Sequence, residues 1–233
     1  MASQMLARTV TRVLTDQWSS TLRFSMDSLF GNLRVNGYQP VVNAIAQGQI
    51  TCEVGVSQNP DRQPAYYAEA RYEPETRQLR FPKEQYGFSS PSEMFNIVHE
   101  ATHALFDCQY GTPAGTQILA MDDEAAAFFA QAVYSRVANP NSPSFGWDIQ
   151  LIDGDPIAEA LKLADKIMGG VHGVNPTYRV PGQDVDQLLI SVQGMYDLHG
   201  GKAGIRHVYH GLPARPGRPP QGILERSHET GTG

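Results

Sequence analysis

The segment SSPSEMFNIVHEATHALFD, residues 89–107, constrains the fold more than any other part of the chain, because it carries consecutive signals of a helix. Ser90 is a residue type that caps helices, Pro91 suits the first turn, and Glu93 stands three residues after Ser90, as a capping box requires. The apolar residues that follow recur at helical spacing. We therefore predict a helix with buried flanks.

Inside this helix, the motif HEATH places two histidines four residues apart. Random placement would give such an H-E-x-x-H about 0.01 times in a chain of this composition. Residues four apart are offset by about 40° around a helix, so His99 and His103 project from one face and their ring nitrogens can meet one ion. Glu100 is turned about 100° from His99 and can reach a water held by that ion. The motif predicts a metal site that still needs a third ligand.

The third ligand is expected on the next helix rather than on the same one. A histidine ten residues after His99 would complete one known arrangement, but that residue is Gln109. The following helix, predicted over residues 119–137, opens with acidic residues. Glu124 is the leading candidate for the third ligand, with Asp122 and Asp123 as alternatives. Acids at a helix start also favour the helix dipole without any metal.

The combination of HEATH with the downstream DEAAA resembles the gluzincin branch of the zincin metallopeptidases, which includes the thermolysin-like enzymes. The resemblance covers roughly residues 50–137. It implies a zinc ion bound by His99, His103 and Glu124, and Glu100 as the general base that activates water against a peptide bond. The substrate would be a peptide or a protein.

One departure from the thermolysin-like pattern concerns the group that orients a ligand histidine. Those enzymes carry an aspartate four residues after the glutamate ligand, whereas this chain has Phe128 at that position. The orienting carboxylate must therefore come from elsewhere, and Asp123 and Asp107 are the candidates.

The resemblance also implies a tyrosine or histidine that stabilises the developing negative charge on the substrate oxygen. Tyr178 and His172 are the preferred candidates, because they lie in a glycine-rich segment of a kind that often borders clefts. The other candidates of the C-terminal half are His199, His207, Tyr209 and His210. The sequence HVYH, residues 207–210, is also compatible with a second metal pair, although its neighbourhood favours a flexible segment.

The predicted fold class is α+β and zincin-like, with a small antiparallel sheet before the active-site helix, then the glutamate helix and a mostly helical C-terminal part. The predicted elements outside the two central helices are an N-terminal helix over about residues 3–24, a short helix over 41–49, strands at 49–56, 65–73 and 77–82, and helices at 155–168 and 184–200. We predict one domain over residues 1–210 and a disordered Pro- and Gly-rich tail over 211–233.

Composition and charge limit the classes of partner and the cellular compartment that we expect. The net charge of −6 lacks the basic excess of a nucleic-acid binder, and no apolar run is long enough to cross a bilayer. Arg8, Arg12 and Asp16 interrupt the N-terminus where a signal peptide would be apolar. Cys52 and Cys108 are too few for a disulfide framework and predict reduced thiols. We therefore expect a cytoplasmic protein with neither nucleic-acid nor membrane partners. The sequence leaves the oligomeric state undetermined.

Two alternatives to a general metallopeptidase share the same motif. One is a zincin-like module that binds zinc without turnover, although an intact Glu100 argues against it. The other is an exported effector protease with a single narrow target. The sequence does not separate these functions from each other.

Overall fold

The structure is a computed structural model that describes residues 2–28, 31–55, 70–139, 154–169, 177–198 and 206–212. Within these residues it is a mixed α/β fold. The helices are α1 (Gln4–Thr15), α2 (Gln39–Ala46), α3 (Pro91–Tyr110), α4 (Ala120–Ala138), α5 (Pro156–Met168) and α6 (Gly182–Leu198). The strands are β1 (Arg23–Ser28), β2 (Gly31–Asn36), β3 (Thr51–Val54), β4 (Arg71–Glu73), β5 (Gln78–Phe81), β6 (Thr116–Leu119), β7 (Tyr178–Val180) and β8 (Arg206–Tyr209).

The helices α3 and α4 pack against each other at the centre of the fold. Small side chains allow this close packing, since the distance between two helix axes depends on the side chains at the contact. Fully buried alanines line both helices: Ala101 and Ala104 in α3, and Ala125, Ala126, Ala127 and Ala130 in α4. The remaining helices cover this pair, with α5 and α6 packed on α4 and α1 and α2 packed on α3.

The predicted helix starts lie close to the observed ones, but the hydrogen bonds that form there are not always the predicted ones. Ser90 is the N-cap of α3 and Pro91 follows it, yet the Ser90 side chain makes no capping hydrogen bond. The Glu93 carboxylate instead accepts a hydrogen bond of 2.8 Å from the Gly87 backbone N–H and pairs with Lys83. The prediction of a capping box is therefore wrong. The N-terminal helix is also shorter than predicted, because the chain turns at Asp16, whose carboxylate accepts two backbone N–H groups.

The small sheet before α3 is mixed rather than antiparallel, with strand order β3-β5-β4. The strands β4 and β5 form the predicted antiparallel hairpin, but β5 occupies the middle position and pairs in parallel with β3. The expectation of an all-antiparallel sheet is therefore wrong. Among the described strands of this sheet, β4 lies at an edge, and it contacts α3.

A second sheet, with the order β2-β1-β7, has no counterpart among the predicted elements. The strands β1 and β2 are antiparallel, and β7 joins β1 in parallel. Buried residues alternate with more exposed ones along both strands of the antiparallel pair, as in half-buried strands. The buried members are Phe24 and Met26 in β1 and Leu33 and Val35 in β2. The alternation is present in the sequence, but it is short and Gly31 interrupts it.

The first three residues of the sequence HVYH belong to a strand, which corrects the expectation of a flexible segment. The strand β8 pairs with β6 antiparallel, directly before α4. Gly211 and Leu212, assigned to a disordered tail, follow this strand, and Gly211 is buried. Residues 213–233 lie outside the described residues.

Two further expectations concern cysteines and membranes. Cys52 is buried, Cys108 is partly buried, and both thiols are free. In the described part of the chain, every helix is too short or too polar to pass through a lipid bilayer.

Candidate metal centre

Three side chains converge between α3 and α4. The helix α3 presents His99 and His103 one turn apart, and α4 presents Glu124 soon after its start at Ala120. The Oε2 atom of Glu124 lies 3.2 Å from Nε2 of His99 and 3.8 Å from Nε2 of His103. Two ligands of a tetrahedral zinc ion, each about 2.0–2.1 Å from the metal, stand about 3.4 Å apart. These separations fit a shared ion.

The opposite nitrogen of each imidazole is held by an acceptor on α4. Nδ1 of His99 lies 3.2 Å from Oε1 of Gln131, and Nδ1 of His103 lies 2.9 Å from Oδ1 of Asp123. The Gln131 amide is itself oriented, because its Nε2 donates to Oδ1 of Asn96 at 2.8 Å. Oxygen acceptors require protonated Nδ1 atoms, so in the neutral form of each ring the lone pair lies on Nε2, the nitrogen that faces Glu124. This is the tautomer that a metal ligand needs.

The electrostatics of the cluster favour a cation. Burial acts to raise the pKa of Asp123 and of Glu124, but the neighbouring histidines outweigh it and hold the pKa of each carboxyl below its usual range. Burial also acts to lower the pKa of His103, yet Asp123 and Glu124 raise it to about 10. Two ionised carboxylates in a largely buried site need positive charge beside them, which protons or a metal ion can supply.

Glu100 lies outside the group of ligand atoms, at the side of α3 that faces the sheet. Its Oε2 accepts a hydrogen bond of 2.6 Å from the backbone N–H of Tyr72, in the edge strand β4. The Tyr72 hydroxyl in turn donates to Oδ2 of Asp107 at 2.6 Å. The general base implied by the sequence is therefore tied to an edge strand rather than to the ligands.

The structure separates the three acids at the start of α4. Glu124 reaches the Nε2 atoms of both histidines, whereas Asp123 reaches Nδ1 of His103. Asp122 is buried, and it does not belong to either of the two groups of described side chains that could hold a metal ion. The second such group consists of His103, Asp123 and His207.

Tyr178, one of the two preferred candidates for stabilising negative charge, is not brought to the cluster. Tyr178 lies in β7 beside Phe24 of β1, where it packs into the hydrophobic core. His172 and His199 lie outside the described residues. His207 and Tyr209 are at the cluster, where both contact Asp123, and His210 is exposed after β8.

Sequence reasoning missed two residues of the cluster. Gln131 follows Glu124 by seven residues, so both lie on one face of α4, and this spacing could have identified it. Tyr196 lies in α6 with its hydroxyl 3.5 Å from Oε1 of Glu124. No sequence signal identifies Tyr196, because only the packing of α6 on α4 brings it there.

No protein-family model matches the chain, and searches of curated proteins and of solved structures also find no match.

Proposed function

We propose that the chain is a zinc-dependent metallopeptidase with a zincin-like fold, in which His99, His103 and Glu124 bind the ion. The observation that carries the proposal is the convergence of two Nε2 atoms and one carboxylate oxygen, with both Nδ1 atoms held by acceptors. Two imidazoles and one carboxylate form a ligand set typical of catalytic zinc. When bound, zinc lowers the pKa of a coordinated water to about 7 and polarises a substrate carbonyl.

Glu100 is the proposed general base. The Tyr72 N–H fixes Oε2 of Glu100, and we assign Oε1 as the proton acceptor. Glu100 removes a proton from the attacking water while the water oxygen bonds to the carbonyl carbon. When the carbon–nitrogen bond breaks, Glu100 returns the proton to the leaving nitrogen. The net reaction is hydrolysis of one amide bond.

Tyr196 replaces Tyr178 as the proposed donor to the substrate oxygen, whereas His172 stays a prediction because it lies outside the described residues. Its hydroxyl lies beside Glu124 and therefore beside the proposed ion position. A hydroxyl at this place can donate a hydrogen bond to the carbonyl oxygen as negative charge develops on it. Tyr178, in contrast, is buried in the sheet that contains β1.

The metal part of the proposal is tested by zinc content after dialysis against metal-free buffer. We expect one zinc per chain in the wild type and loss of zinc in Glu124→Gln. The matched control is Asp122→Asn, which removes one charge two residues earlier in α4. Equal loss of zinc in both variants would mean that these acids stabilise the start of α4 rather than bind the ion. A wild type that retains no zinc would refute the proposal.

The catalytic part is tested by mass spectrometry of a peptide library incubated with wild type and Glu100→Gln. Cleavage by the wild type only, with zinc retained in the variant, is the expected result. Equal cleavage by both proteins would refute the enzyme assignment. Zinc without cleavage of any peptide would favour the binding module or an effector with one protein target.

A further inference from the structure

The C-terminal strand β8 places two polar side chains on Asp123. The strand β8 pairs with β6, which runs directly into α4, so the register Ile118↔His207 brings β8 beside the start of that helix. His207 and Tyr209 are two residues apart and project from the same side of the strand. His207 Nδ1 and the Tyr209 hydroxyl both donate to Oδ2 of Asp123, the latter at 2.5 Å.

These contacts immobilise a carboxylate that orients a ligand. The Asp123 side chain is fully buried, and its other oxygen, Oδ1, is the acceptor for Nδ1 of His103. A carboxylate with hydrogen bonds at both oxygens cannot rotate without breaking at least one of them. His207 and Tyr209 therefore constrain the direction in which Asp123 holds the His103 ring.

The residues that follow β8 fasten the same segment to α3 and to the sheet. The Gly211 N–H donates to Oδ1 of buried Asp107 at 2.8 Å, and the Gly211 carbonyl accepts from Nε of Arg77 at 2.9 Å. Asp107 also accepts from the Tyr72 hydroxyl. Tyr72 is the residue whose backbone N–H holds Glu100. The segment from His207 to Gly211 thus contacts both Asp123, which holds the proposed ligand His103, and Asp107, which is hydrogen-bonded to the residue that holds Glu100.

We propose that segment 206–212 is a structural part of the metal centre, in which His207 and Tyr209 are positioning residues that act on His103 through Asp123. The inference rests on the proposed zinc site. A second ion held by His103, Asp123 and His207 is the competing interpretation. The existing hydrogen bonds oppose it, because both Asp123 oxygens already accept hydrogen bonds within the network.

The test measures the zinc dissociation constant of the full chain by competition with a chromophoric chelator. The variants are His207→Leu and Tyr209→Phe, which each remove one donor to Asp123. His207→Asn is the conservative variant, since its amide nitrogen can replace Nδ1 as donor. Val208→Ala is the matched control, because Val208 lies on the opposite face of β8 and is 36% exposed.

We expect His207→Leu and Tyr209→Phe to raise the zinc dissociation constant about tenfold, the range seen for residues that support metal ligands. His207→Asn should restore affinity to within about threefold of wild type, and Val208→Ala should leave it unchanged. The melting temperature in excess chelator is recorded in parallel, since a purely structural role would lower it without changing the zinc affinity of the folded chain.

Wild-type zinc affinity in both His207→Leu and Tyr209→Phe would overturn the inference and leave the proposed function standing. Two zinc ions per wild-type chain, with one lost in His207→Leu, would overturn it in favour of a second metal site. A wild type that binds no zinc would refute the proposed function itself, and the inference with it.

Discussion

His99 and His103 are oriented by acceptors of different strength, a neutral amide for one ring and a buried carboxylate for the other. Replacing Gln131 by methionine keeps the side-chain length and removes the acceptor for His99 Nδ1. We expect the zinc dissociation constant to rise by up to about tenfold, measured by chelator competition. The change for Asp123→Asn should be larger, because a charge-assisted hydrogen bond is lost. Unchanged affinity in Gln131→Met would show that the Gln131 amide does not orient the His99 ring.

The two thiols should be inert in the folded chain. Burial raises the pKa of Cys52 to about 12, and burial together with Asp107 raises the pKa of Cys108 to about 12. At pH 8 the thiolate, which is the reactive form, is then about one part in 10,000 of each cysteine. We expect negligible alkylation by iodoacetamide at pH 8 and reaction of both cysteines after unfolding in urea. Rapid alkylation of the native chain would contradict the burial of these side chains.

Residues of the cluster were predictable from sequence where local geometry brings them together. His99, Glu100 and His103 belong to one helix, so their relative directions follow from helical periodicity alone. The choice between Asp123 and Glu124 remained open because helical periodicity does not give the rotation of α4 about its axis relative to α3. Tyr196 was not predictable, because it depends on the packing of α6 against α4.

At the scale of elements, two glycines allow the end of α3 to approach the segment after β8. A Cβ atom on Gly111 would lie 2.2 Å from the backbone nitrogen of Gly211, so backbone would have to move. We expect Gly111→Ala to destabilise the fold by about 1–3 kcal/mol. At Gly194 in α6, an added Cβ would meet no described atom within 4 Å, so Gly194→Ala should stabilise the fold by about 0.5–1 kcal/mol.

Thermal unfolding in excess chelator compares these two variants without any contribution from metal. Opposite signs of the shift in melting temperature are the expected result. An unchanged or raised melting temperature in Gly111→Ala would mean that the contact between residues 111 and 211 does not constrain the backbone.

The sequence predicted helices better than strands, because a helix forms between residues close in the chain and a sheet pairs residues that are far apart in it. The helices α4, α5 and α6 are 13 to 19 residues long and carry good helix formers or start and stop residues in their own segments, so each is specified locally. The strands β6 and β8 have four residues each, and their pairing joins positions about 90 residues apart. Such short strands form only where the rest of the fold brings them together.

At the scale of the whole molecule, the proposed metal centre joins elements from distant parts of the chain. The proposed ligands lie on α3 and α4, and the residues that orient the ligand histidines lie on α4 and β8. The strand β4 holds Glu100, and α6 brings Tyr196. An ion bound at this place requires these elements to keep their native arrangement, so binding should be coupled to folding of the domain as a unit.

Metal removal should therefore lower the melting temperature of the whole domain. With free zinc at 1,000 times its dissociation constant, binding stabilises the folded state by about 4.1 kcal/mol. For a protein of this size, about 2–4 °C per kcal/mol gives a decrease of roughly 8–16 °C when excess chelator is added, measured by scanning calorimetry. Glu100→Gln should keep this decrease, because Glu100 is not a ligand, whereas Glu124→Gln should lose most of it. A melting temperature insensitive to chelator in a zinc-loaded wild type would show that the ion does not hold α3 and α4 together.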